Sequence, residues 1–283
     1  MRTPVRLAAT LLRFQAAAPF RKGVSPIYRW SIKFGESRLI VSSLPTVSSR
    51  GEEKKAAKAA ASERTKAMRD APWAKSPIVW LTGASEVLEQ SIAPGLARML
   101  QDYDRTVFFE TDGFHLRKRI HEFRPDSRLY LTIRLYGMAE KHDARMQRPA
   151  AFARAVEGIR AAQLSGFLTC AHIVIETSTQ KQDIERLFED LQSLRVDGVI
   201  ISAGEDDDSA DTRETLIHCR RLLGNSWWAK FSRLVQDSVQ NAGRQAAAGA
   251  HARPVLPAAH FPSAAGLNTS HTSTIPGEEA AAQ

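Results

Sequence analysis

The hydrophobic positions of this chain change period along its length, and the changes mark out elements. Leu129, Leu131, Ile133 and Leu135 recur at every second place, with Tyr130, Thr132, Arg134 and Tyr136 between them. Alternation of this kind, rich in β-branched and aromatic side chains and stopped by Gly137, predicts a strand. A polar loop carrying His142 and Asp143 follows, and then a helix over 150–165 closed by Gly166. The same succession repeats on either side. Residues 78–81 form a short continuous apolar run, as expected of a strand covered on both faces, and end in Thr82-Gly83-Ala84-Ser85-Glu86. A helix over 93–101 comes next, then a strand over 106–110 ending in Thr111-Asp112-Gly113. A basic helix over 116–123, a strand over 167–176, a helix over 182–194 and a strand over 196–202 complete the series. Strands alternating with helices in this way predict an α/β fold with parallel strands joined by right-handed crossovers.

The flanks are less regular. Residues 27–34 alternate, and Gly35-Glu36 offers a turn into 38–42, a strand or hairpin. Residues 43–50 read as loop, and 52–68, rich in Ala, Lys and Glu, as a helix by propensity. Beyond the series come an acidic loop at 205–208, a helix over 212–223 and a second helix running to about 240. Trp227 and Trp228 are expected to dock this hairpin on the core. From Asn241 onward small and polar residues predominate, which predicts disorder. The organisation expected is therefore a basic N-terminal segment (1–25), a core domain (26–204, its centre at 77–204), a helical extension (205–240) and a tail (241–283).

Charge refines this picture. The net charge is +8, but residues 1–75 alone carry 16 Lys and Arg against 5 Asp and Glu. The basicity thus belongs to the N-terminal segment, and no specific nucleic-acid binding is expected of the core. Residues 1–22 read as a basic amphipathic helix lying on an anionic membrane surface or on the core; a targeting peptide has similar chemistry. No run reaches about 18 apolar residues, so no transmembrane helix is predicted. Two isolated cysteines, Cys170 and Cys219, fit neither a disulfide framework nor a zinc module, and a cytoplasmic protein, free or peripheral to the membrane, is expected.

Read in order, the strand ends resemble those of the radical S-adenosylmethionine (radical SAM) superfamily. Trp80-Leu-Thr-Gly-Ala-Ser-Glu-Val-Leu stands where that family has a Gly-Gly-Glu-Pro motif. Phe109-Glu-Thr-Asp-Gly is similar to its Thr-Asn-Gly strand end, and Leu131-Thr-Ile-Arg-Leu-Tyr-Gly, with His142, Asp143, Phe152 and Ala155 following, to its Ser-Leu-Asp-Gly segment. Asp197-Gly-Val-Ile-Ile-Ser is similar to its sixth strand. The resemblance covers about 77–204, with 27–50 as the first strand and its loop. It implies a partial (β/α)6 TIM-like barrel, and an S-adenosylmethionine groove at Thr82, Gly83, Ala84, Ser85, Glu110, Thr111 and Arg134.

Departures from the family pattern are as informative. The family holds a 4Fe–4S cluster on a CxxxCxxC loop after the first strand, and here no cysteine precedes Cys170. Thiolates hold such clusters, and serines 42, 43, 48 and 49 are poor substitutes. Gly83 is retained, but the second Gly, the Glu and the Pro become Ala84, Ser85 and Glu86, and the fourth-strand Ser and Asp become Arg134 and Tyr136. The expectation is a barrel without a cluster, with S-adenosylmethionine as the one cofactor still conceivable, acting as a binding or accessory subunit for a protein partner or at a membrane. The alternatives are an enzyme of this fold with non-radical chemistry, whose pocket residues would be Glu110, Arg134, His172 and Glu176, or an atypical N-terminal region that hides the cluster loop. His142-Asp143 reads as a structural pair or as a base with its orienting carboxylate. The basic stretch flanked by His115 and His121 reads as a solvated helix face or as a phosphate-binding patch.

Overall fold

The computed structural model describes residues 1, 3–17, 24–31, 70–83, 92–204, 207 and 209–248. The expected hairpin arm at 38–42, the loop at 43–50, the helix at 52–68, Ala84 and Ser85 lie outside them.

Six parallel strands, β1 (Ile27–Ser31), β2 (Ile78–Thr82), β3 (Thr106–Thr111), β4 (Leu129–Leu135), β5 (Leu168–Ile175) and β6 (Gly198–Ala203), lie side by side in chain order as a curled half-barrel. The predicted α/β partial barrel is therefore the fold, with residues 27–31 as its first strand. Near-continuous burial along β2 to β6 follows from cover on both faces, while β1 is buried only at Ile27. Odd positions such as Leu129, Leu131 and Ile133 face outward with Val79, Phe109, Ile173 and Ile201. They pack against α2 (Ile92–Asp102), α5 (Ala151–Leu164), α6 (Lys181–Ser193) and α7 (Ala210–Leu222). The alternate positions face the concave side, where Trp80, Phe108 and Tyr130, register neighbours on β2, β3 and β4, stack with centroids 5.0 and 4.7 Å apart.

Two helices fill the concave side. α1 (Val5–Ala16) buries Leu7 and Leu11 against the apolar base, which includes Ile27 and Ile78. Its Arg6 reaches Ser127, two residues before β4, so the helix lies at the N-terminal ends of the strands. One face of this segment packs on the barrel through Leu7 and Leu11. α8 (Trp227–Ala248) contributes Trp228, Phe231, Val235 and Val239 to the same apolar cluster and bridges β6 to β1. It also covers the edge of β6. Ser232 Oγ accepts from the Ile201 N–H at 3.1 Å, and Gln236 Oε1 from the Ala203 N–H at 2.6 Å. Gly198 makes room for the docking tryptophan, since a Cβ there would lie 2.3 Å from the Trp228 ring.

Three expectations are corrected. The chain is helical to Ala248, so it does not leave regular structure at Asn241. The basic helix over 116–123 is a single α-turn, α3 (Leu116–Arg119), followed by a 3₁₀ turn at Ile120–Glu122. His142 and Asp143 lie on a short helix, α4 (Ala139–Met146), not in a loop. Eight residues with mixed polarity gave that helix too weak a period to read. No helix among the described residues is long and apolar enough to cross a membrane.

Candidate functional site

At the carboxyl ends of the strands the concave face turns from apolar to charged. Glu110, buried on β3, accepts from the Trp80 indole N–H of β2 and from the Arg134 Nε–H of β4. His172 of β5, in register with Arg134, lies edge-on to Trp80 at 5.4 Å. Its Nδ1 stands 3.4 Å from Glu110 Oε2, longer than a well-aligned hydrogen bond. Its Nε2 is 2.7 Å from Ser202 Oγ of β6. Neighbouring strands β2 to β6 thus each give one side chain to a connected set in which Trp80, Arg134 and His172 each meet Glu110 and His172 meets Ser202.

The electrostatics follow from burial. Desolvation alone would raise the Glu110 pKa, but Arg134, then His172 and Arg29, outweigh it and hold the carboxyl well below its usual range. His172 moves the other way. Burial lowers its pKa from 6.5, Glu110 opposes this, and Arg134 and Arg29 add to the lowering, so the imidazole is neutral at pH 7. A carboxylate only accepts, so the ring proton belongs on Nδ1 facing Glu110, and Nε2 accepts from the Ser202 hydroxyl. Trp80, Arg134 and His172 are therefore all oriented by one ionised carboxylate.

Above this set opens a cavity of about 600 Å³, lined by Arg29, Arg134, His172 and Ser202, with Val239 of α8 at one side. At its rim Arg145 of α4 bonds Glu176 Oε1 through Nε at 2.8 Å, and its guanidinium lies 4.9 Å from the centre of the Tyr136 ring. Asp207 closes another side. It accepts from the Thr177 N–H and Oγ1, both at 2.7 Å, and from Thr212 Oγ1 at 2.8 Å. Burial opposes its ionisation, but these hydrogen bonds hold its carboxyl well below the usual range.

Thr82, Glu110 and Arg134 share the concave face, and Gly83 follows at the strand end with a left-handed φ of 77°. Thr111 does not belong with them. Alternation turns it to the outer face, in register with Ile133, where its hydroxyl accepts from the Gly113 N–H at 3.1 Å and shapes the turn. His172 and Glu176 line one cavity, Glu176 one residue past the strand end. His142 and Asp143 are structural. Asp143 caps α5 by accepting from Ala150 and Phe152 N–H at 2.8 and 2.7 Å, while the buried His142 accepts weakly from Tyr136 N–H. The basic α3 is tied down by acidic partners, Arg117 by Glu157 and Arg119 by Glu122 in bidentate fashion.

Neither cysteine fits a cluster. Cys170 sits in the apolar base of the barrel and Cys219 in the outer core on α7. Burial pushes both thiols up, Cys219 to about 11, which is opposite to what a metal thiolate needs. Among the described residues no three His, Cys, Asp or Glu side chains converge as a metal site. Sequence reasoning overlooked Trp80, Arg29, Arg145 and Asp207 as site residues. The signal for Trp80 was an indole at a concave position directly before a charged row; for the other three no local pattern existed. No family model matches this chain, and no curated protein is similar to it.

Proposed function

We propose that this protein is a radical-SAM-like barrel that works without an iron–sulfur cluster, as a binding or accessory subunit whose cavity takes a small polar ligand. The observation that carries the proposal is the Glu110–Arg134 ion pair at the carboxyl ends of the strands, its carboxylate buried and its guanidinium facing the cavity, where ligands of open α/β sheets bind. It lies under a 600 Å³ cavity, in a chain whose two thiols are both sequestered in apolar cores. Three arginines line that cavity, Arg29, Arg134 and Arg145, against two carboxylates, Glu176 and Asp207, which leaves a cationic excess at the lining. A ligand with an anionic group is favoured there over the cationic sulfonium of S-adenosylmethionine. Isothermal titration with S-adenosylmethionine and with its uncharged-sulfur product S-adenosylhomocysteine tests this. The sulfonium compound is expected to bind no better than the thioether, and Arg134→Met should narrow any gap. Tighter binding of S-adenosylmethionine than of the thioether would contradict the charge argument.

A second reading, an enzyme with non-radical chemistry, is favoured by one observation. Ser202 Oγ, His172 Nε2 and Nδ1, and Glu110 form a hydroxyl–imidazole–carboxylate series beside the cavity. In this reading the hydroxyl is the residue that meets the substrate and His172 takes its proton. Hydrolysis of an activated ester that is abolished by Ser202→Ala would establish it. Equal rates in the parent and Ser202→Ala would remove the case.

A further inference from the structure

Among the described residues five large apolar side chains are strongly exposed, and three of them, Met1, Val5 and Leu12, fall within the first twelve positions of the chain. Val5 and Leu12 are 77% and 65% exposed and stand seven residues apart on α1, two helical turns, so they share one stripe. That stripe is opposite the one by which Leu7, Leu11 and Phe14 hold α1 to the barrel. A globular helix buries one stripe and turns polar residues outward; α1 is apolar on two opposite faces.

The second face has cationic neighbours. Arg6 and Arg13 follow Val5 and Leu12 by one residue each, which sets a row of guanidinium groups beside the apolar row. Arg6 is tied to Ser127, while Arg13 is exposed in the last turn. Residues 1–35 contain seven Lys and Arg and no Asp or Glu. An apolar row flanked by cations matches a surface that offers acyl chains under anionic headgroups, and its narrowness matches shallow insertion of a helix already fixed to a domain.

We propose that α1 seats this barrel on an anionic lipid surface through Val5, Leu12 and Arg13, with Met1 at the leading end. The strands fix the orientation. α1 lies at their N-terminal ends and the cavity at their carboxyl ends, so a seated molecule keeps its cavity open to solvent. The inference does not depend on which ligand the cavity takes.

Sedimentation of the full-length chain with vesicles of phosphatidylcholine alone, and of phosphatidylcholine with phosphatidylserine, tests it. The chain is expected to sediment with the anionic vesicles and not with the neutral ones, and to be released by salt. Val5→Ser with Leu12→Ser should weaken partitioning about tenfold, and Arg13→Gln about fivefold, with thermal unfolding unchanged because all three side chains are exposed. Absence of binding to anionic vesicles at low salt would overturn the proposal. So would a double variant that binds as tightly as the parent, since the basic residues beyond α1 would then account for the attraction.

Discussion

Glu110 is the one acidic side chain that Trp80, Arg134 and His172 all address, so neutralising it isolates its electrostatic part. Glu110→Gln keeps the size and one acceptor for the Trp80 N–H but leaves Arg134 without its counter-charge. Breaking an ion pair with one buried and one partly exposed partner costs about 2 kcal/mol, between the exposed and buried limits, and urea unfolding should read that loss. Arg134→Met should cost a comparable amount, and the double variant less than the two singles together, because each single leaves a charge stranded. A third site-level outcome concerns pH. His172 and His142 are both buried with pKa values below the ordinary 6.5, so the unfolded chain binds their protons first as pH falls. Their contribution is complete above 6.5 and is lost as pH drops from there through the lower folded values. The urea midpoint should therefore fall between pH 7.5 and 5.5. His142→Phe should flatten part of that slope, and an unchanged midpoint would contradict neutral burial. Of these residues Glu110, Arg134 and His172 were legible as strand-end polar groups. His142 and Asp143 were legible as a structural pair but were placed in a loop, because a dipeptide gives no sign of the short helix it sits on or of which partner each side chain will find. Asp143 found the N-terminus of α5.

Elements were legible in proportion to how strongly their pattern was forced. The five strands from β2 to β6 are buried on both faces, which writes nearly unbroken apolar runs into the sequence and fixes them to within two residues. Thr111 shows the limit. It sits in a legible strand, yet its face follows from register, and a groove assignment made by proximity in sequence put it on the wrong side of the sheet. α8 shows another. Its apolar stripe was readable to residue 240, but its role as cover for the β6 edge rests on Ser232 and Gln236, polar residues that look like surface positions until the sheet is placed beside them. Because they satisfy the Ile201 and Ala203 N–H groups, Ser232→Ala or Gln236→Ala should each cost about 1–3 kcal/mol by leaving a buried donor unpaired. Gly198→Ala drives a methyl into the Trp228 ring and should cost a similar amount through overpacking, measurable as a lowered urea midpoint with an unchanged slope. If Gly198→Ala were neutral, α8 would not be seated on β6 as described.

At the scale of the molecule, the half-barrel divides its two ends between two tasks. Apolar stacking of Trp80, Phe108 and Tyr130, closed by α1 and α8, makes the lower part a solid core. The charged set from Glu110 to Ser202 forms the floor of the cavity above. An iron–sulfur cluster of the kind the strand-end resemblance implies would need three thiolates on the loop after β1, and residues 32–69 contain none. The ion pair and its neighbouring imidazole are then the groups the site has to work with, in place of a cluster. Anaerobic reconstitution with iron and sulfide, followed by quantitation of both on the desalted full-length protein, tests this most directly. The account predicts no stoichiometric iron or sulfide and no charge-transfer absorption. Iron and sulfide at about four each per chain, with a spectrum that bleaches on reduction, would contradict it and show that ligands other than cysteine thiolates upstream of β2 hold a cluster.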